Sequence, residues 1–242
     1  MNSRLFVDPV HRVPRLWSNR ELARIAHLFD GDVVNVSAWR DEDKDKRRYR
    51  DYFKKARSYA LTNFRAEMRG FQGAEGEIFL DLEQALPTEL GGAFDVVFNH
   101  TTLEHVYEFR QAFANLCAMS RDVVIAVVPW LQPYHSDYGD YWRFSPLAVA
   151  RLFEENGLTP ARIVWNRNKN TSVYVFAVGV RDAERWREAF EFDCSEHAEL
   201  LNPNRSDAGS GAFPPPLAAR LRTAAGAVGL GRLRRAFMRS AP

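Results

Sequence analysis

His135, Asp137 and Asp140 stand close together in a segment that also carries Tyr138, Tyr141, Trp142 and Arg143. An imidazole titrates near neutrality, so His135 is the candidate general base, with Asp140 as its catalytic companion. The His-x-Asp-x-x-Asp spacing is compatible with a divalent cation. On a polar loop, capping and turn chemistry is the commoner use of such residues, and no metal is expected. Tyr138, Tyr141 and Arg143 offer aromatic faces and a bidentate cation, suited to stacking on a sugar ring or pairing with a phosphate or carboxylate. Trp142 either joins that surface or anchors the loop, and Phe144 reads as an anchor. Upstream, Glu104 with Thr101 has the spacing of a helix cap, and His105 is either a pocket wall or a packed ring. Cys117, on an apolar helical face, reads as a buried, inert thiol.

Apolar runs must place these groups. Strands are expected at residues 33–38, 59–64, 77–82, 94–99 and 123–128, the last rich in β-branched residues and read as buried on both faces. Between them lie helical patterns. Ser18 and Glu21 read as a capping box before a stripe of Leu22, Ile25, Ala26 and Phe29, and the charged stretch 40–55 reads as a solvated helix or loop. Leu103, Val106, Phe109, Phe113 and Leu116 make another stripe. Ser145 and Pro146 open a further helix as N-cap and first residue, closed at Gly157. Two last strands, 161–165 and 172–180, flank Arg167, Asn168, Lys169 and Asn170, which is hairpin chemistry. Alternation of strand and helix predicts an α/β fold, a doubly wound, mostly parallel seven-stranded sheet with a reversed terminal strand. The ligand crevice of such a sheet lies outside the carboxyl ends of its strands.

Read together, those strand ends resemble a known family. Phe94 to Asn99 followed by Leu103-Glu104-His105-Val106, then Val127-Val128-Pro129-Trp130, Pro133-Tyr134-His135 and Asp140-Tyr141-Trp142-Arg143-Phe144-Ser145-Pro146, is similar to class I S-adenosylmethionine-dependent methyltransferases of type 11. The resemblance covers about residues 31–180. It implies S-adenosyl-L-methionine as cofactor and a sugar, glycolipid or similar small polar acceptor. It also implies roles: Asn35, Ser37 and Trp39 lie on the cofactor loop after the first strand, Asn63 at the ribose, Asp81 and Leu82 at the adenine, and Asn99 beside the sulfonium. The sequence departs from the pattern where the family has glycines, at Ser37 and Trp39, and where it has an acidic residue, at Asn63. Those departures keep a second reading open, a catalytically degenerate fold retained as a binding or scaffolding subunit. A third is a cleft turned to another ligand, such as a nucleotide-sugar.

The chain has 242 residues, 46% hydrophobic, with 33 basic and 31 acidic side chains. That composition excludes global disorder. Two cysteines make no disulfide framework, the longest apolar run is far too short to span a bilayer, and the N-terminus lacks a signal-peptide core. A cytoplasmic protein is expected. Charge is segregated: residues 208–242 carry six arginines and no acid, and without them 27 basic face 31 acidic residues, a body of −4. Gly209-Ser210-Gly211 and Pro214-Pro215-Pro216 open this tail as a linker. The expected organisation is a helical extension over 1–30, a methyltransferase-like domain over 31–200, and the linker and Arg-rich tail over 201–242. Nucleic acid is not an expected partner of an acidic body. The tail reads as a peripheral contact for a protein or for the inner membrane face.

Overall fold

A valine run with no polar break demands cover on both sides, and the sheet supplies it. The computed structural model describes residues 8, 10–65, 67, 70–135, 139–167 and 171–190. Its strands are β1 (Asp32–Val36), β2 (Ser58–Asn63), β3 (Glu77–Phe79), β4 (Phe94–His100), β5 (Ser120–Leu131), β6 (Thr159–Trp165) and β7 (Val173–Val180). They form one sheet in the order β3-β2-β1-β4-β5-β7-β6. Pairing is parallel from β3 through β5, and β7 runs antiparallel to both β5 and β6. The expected doubly wound sheet with a reversed strand is therefore present.

Side chains of a strand alternate faces, and β5 shows what that does. Val124, Ala126 and Val128 join Leu103, Phe113, Leu116 and Phe153 beneath α2 (Phe109–Met119) and α3 (Pro146–Glu155). Val123, Ile125 and Val127 face the other way, with Leu22, Ile25, Phe29, Trp186 and Phe190 beneath α1 (Arg12–Ile25) and α4 (Ala183–Phe190). Each fully buried valine, leucine, isoleucine or phenylalanine among them contributes roughly 1.5–3 kcal/mol. Ser145 caps α3, its Oγ accepting from the Ala148 N–H at 3.2 Å, and Gly157 follows the helix with φ +73°.

Several local expectations change. α1 begins at Arg12, so Ser18 lies inside the helix; its hydroxyl donates to the Arg15 carbonyl and meets His100 Nε2 at 2.8 Å. The third strand stops at Phe79, because Leu80 and Leu82 leave the ladder to join the core. The stretch 40–55 is mostly loop, and it is not simply solvated: Asp41, Asp43, Tyr49 and Phe53 are buried. Thr101 and Glu104 cap no helix; Thr102 precedes a short 3-10 turn, Leu103–His105, and α2 starts at Phe109. No helix among the described residues is long and apolar enough to cross a membrane. Tyr138, the residues between the last two strands at 168–170, and the Arg-rich tail lie outside the described residues.

Candidate functional site

The carboxyl ends of β1, β2 and β4, with the segment after β3, open on a cleft of about 520 Å³. Its wall carries Asn35, Ser37, Trp39, Asn63, Asp81 and Leu82 on one side, and His100, Thr102, His105, Tyr107 and Tyr141 on the other. That volume lies within the roughly 300–1,000 Å³ of small-molecule and cofactor sites.

The loop after β1 explains how a chain without glycines turns here. Ser37, Trp39 and Asp41 all adopt left-handed backbone, with φ of 57°, 50° and 58°. This is the region glycine enters freely and other residues rarely do. The strain is held from β2. Asn63 Oδ1 accepts from the Trp39 N–H at 2.6 Å, Asn63 Nδ2 donates to the Trp39 carbonyl at 3.0 Å, and the Ala38 N–H donates to the Thr62 carbonyl at 3.1 Å. Asp41 is a buried anchor, accepting from Asn35 Nδ2 at 2.8 Å and from the Tyr59 hydroxyl at 2.7 Å. So three residues with side chains hold the left-handed backbone that glycine would enter freely. Trp39 lines the cleft with 38% of its surface exposed and the Arg40 guanidinium over its ring.

The other residues expected on the cofactor side sit as follows. Asp81 caps its own turn, Oδ1 accepting from the Glu83 N–H at 3.0 Å, and Leu82 is buried at the wall. Asn99 is fully buried and donates to the Val36 carbonyl; it ties β4 to β1 beneath the cleft and is not part of its lining. Arg15 from α1, which sequence reasoning missed, reaches the cleft beside Tyr174 and Tyr49, with its Nε shielded and unbonded. A signal existed: Arg15, Ser18, Asn19 and Leu22 share one helix face, polar residues continuing an apolar stripe.

On the far side the expected acceptor residues divide. Tyr141 lines the cleft half-exposed, its ring edge-on to Tyr107 at 5.4 Å. Arg143 does not face it. All five of its N–H donors are engaged, with Asp140, the Gln132, Pro133 and Trp142 carbonyls and Asp140 again, so it fastens the loop. Burial alone would raise the Asp140 carboxyl, but the Arg143 hydrogen bonds outweigh it and hold it below the ordinary range. Asp140 also accepts from the His135 N–H at 2.7 Å. Trp142 and Phe144 pack on Phe109, which makes both anchors. Gly139, φ +114°, lies where a Cβ would strike the Tyr141 ring at 2.7 Å.

His135 stands one ring removed from the wall, 5.3 Å behind His105 and 5.2 Å from His11. Burial lowers its pKa to about 4, against the raising effect of Asp140, so it is neutral at physiological pH. His105 is on the wall. Its Nδ1 lies 2.6 Å from the Gly139 carbonyl, which can only accept, so the proton is on Nδ1. Its own pKa is lowered, chiefly by burial. Glu104, beside it, is entirely buried, and burial lifts its carboxyl to about 7.

The strand order, with its single reversed strand, decides the fold. The chain has the class I methyltransferase fold. A protein of Bacillus halodurans assigned as a methyltransferase is 10% identical over 67% of this chain and 97% of its own, with a TM-score of 0.50. A chain from the Haloferax volcanii complex between the Trm112 methyltransferase activator and a methyltransferase is 13% identical over 69% and 90%, TM-score 0.50. The Burkholderia thailandensis 1,6-didemethyltoxoflavin-N1-methyltransferase, solved with its substrate and S-adenosylhomocysteine, is 18% identical over 68% and 80%, TM-score 0.48. No family model and no curated protein matches the sequence. Open α/β sheets bind their ligands in the crevice outside the carboxyl ends of the strands, and Asn35, Ser37, Asn63 and His100 line the cleft there.

Proposed function

We propose that the chain is an S-adenosylmethionine-dependent methyltransferase acting on a small polar, sugar-like acceptor. One observation carries the reading: the left-handed cradle of Ser37 and Trp39 after β1, clasped by Asn63 and opening on a cleft of cofactor size. Bound there, the cofactor supplies an electrophilic methyl group. Asp81, with one oxygen on its own turn, has the other for an exocyclic amine, and Leu82 offers an apolar edge to the purine. Arg15, with its shielded unbonded Nε, meets the carboxylate end of an amino acid. Asn99 acts from below, by fixing β4 against β1.

The acceptor lies toward Tyr107 and Tyr141, whose exposed rings suit the apolar face of a sugar. The protein's task is to hold the acceptor atom in line with the methyl group at roughly 3–3.5 Å and to dispose of a proton. With His135 set back and Asp140 bound to Arg143, that task falls to His105 on the wall, with the buried Glu104 beside it. The basic tail, residues 208–242, belongs to the proposal as a peripheral membrane or protein contact.

Calorimetric titration of the full chain with S-adenosylhomocysteine tests the reading. Saturable binding that weakens at least tenfold in Asp81→Asn is expected. No heat at millimolar ligand would overturn it and leave the scaffolding alternative, which the position of Trp39 in the cleft favours.

A further inference from the structure

We infer that Glu104, His105 and His135 bind a divalent transition-metal ion at the acceptor end of the cleft. One ligand atom from each lies within 4.8 Å of the others. Donors sharing one ion at about 2.1 Å stand at most about 4.2 Å apart, so the cluster closes on an ion with a movement under about 1 Å. His105 Nε2 and Glu104 Oε1 are already 3.7 Å apart.

A second observation is independent of that spacing. Both carboxylate oxygens of Glu104 are shielded from water and have no hydrogen-bond partner. Buried polar groups in folded proteins are nearly always bonded, and an exception calls for a cause. Its own backbone N–H eases the charge, and Arg15 and Arg143 do so from a distance, but none of them makes a hydrogen bond of normal geometry to the carboxylate. A cation on those oxygens supplies the missing partner. The imidazoles are arranged accordingly. His105 donates Nδ1–H to the Gly139 carbonyl, the kind of outer bond that orients a metal-ligating ring. The Nδ1 of His135 faces the Pro133 carbonyl at 3.3 Å and Asp140 Oδ2 at 3.5 Å, and Arg143 fixes that carboxylate.

Two imidazoles and one carboxylate select borderline ions such as Zn²⁺, Fe²⁺ or Co²⁺ over Mg²⁺ or Ca²⁺, which prefer all-oxygen sets. His105 is on the cleft wall, so an ion beside it has an open side toward the acceptor. Its use rests on the methyltransferase reading: it lowers the pKa of an acceptor hydroxyl. The proton passes to solvent, the oxygen lone pair forms the new O–CH₃ bond, and the S–CH₃ pair stays on sulfur.

The test titrates the full-length, chelator-treated protein with Co²⁺, follows the visible d–d absorption, and then displaces Co²⁺ with Zn²⁺. One equivalent with a Zn²⁺-reversible band is expected. Glu104→Gln, His105→Asn and His135→Asn each weaken binding at least tenfold in variants whose melting temperature is retained. Absence of the band in the wild type, or binding untouched by all three substitutions, overturns the site. Calorimetry with S-adenosylhomocysteine on the same sample separates the two proposals. Cofactor binding without Co²⁺ binding removes only the metal site. Co²⁺ binding without cofactor binding keeps the site and removes the methyltransferase reading.

Discussion

Asn63 holds the Trp39 residue by both its amide and its carbonyl, at 2.6 Å and 3.0 Å, from a strand 24 positions away. A non-glycine residue at positive φ carries about 1–2 kcal/mol of strain and persists only where neighbours over-determine it. Asn63 is that neighbour. Asn63→Ala removes both bonds and is expected to cost about 1–3 kcal/mol in urea denaturation, with weaker S-adenosylhomocysteine binding. If stability is unchanged, the clasp does not hold the loop.

Trp39→Gly tests the same strain from the other side. Glycine adopts the conformation without penalty, so about 1 kcal/mol of added stability is expected despite the lost contact with Arg40. A destabilised variant would show that the indole contributes more by packing than its backbone costs.

His100 provides a pH signature. Burial holds its imidazole well below the ordinary 6.5, with Arg15 adding in the same direction, while Ser18 and Thr101 bond its two nitrogens. Below about pH 6.5 the unfolded chain gains a proton that the native ring refuses. Stability therefore falls toward acid, by up to about 1.4 kcal/mol per pH unit, until the depressed native pKa is reached. Denaturation of wild type and His100→Gln at pH 7.5, 6.5 and 5.5 should give diverging curves, the variant losing less. Parallel curves would mean that the native ring titrates normally.

Cys117 is buried on α2, and burial pushes its thiol up to about 12. Peptide mapping after iodoacetamide treatment at pH 8 should find Cys117 unmodified in the folded protein and alkylated in urea. Rapid modification without denaturant would place α2 among locally opening elements.

The basic tail is tested by truncation. Deleting residues 208–242 should leave the melting temperature unchanged and abolish sedimentation with phosphatidylserine vesicles. A lowered melting temperature would make the tail part of the core.

Legibility in the sequence followed burial. The run of β5 over residues 123–128 was readable because a strand covered on both faces has no polar position there to break the pattern, and β1 was readable from its valines despite the buried Asn35. β3 read too long because Leu80 and Leu82 are buried by the fold, not by the ladder, and composition cannot tell the two apart. Glu104 had the spacing of a helix cap and is instead a carboxylate sealed behind the cleft wall. Arg143 had the chemistry of an anion receptor, but its partners are carbonyls of its own loop and its neighbour Asp140. Ser37 and Trp39 showed only that glycines were absent. Whether the turn could form without them depended on Asn63, and such a partnership is set by tertiary pairing.

That turn also has a preference in charge. The amides of Ser37, Ala38 and Trp39 all point to Thr62 or Asn63 on the neighbouring strand. Nucleotide-binding loops work the opposite way, fanning successive amides outward to grip a pyrophosphate. Here those donors are already occupied, so the rim gives little to a diphosphate. With those amides tied to β2, the loop after β1 presents the indole face of Trp39 to the cleft and no free row of donors, so it ranks ligands by shape more than by charge.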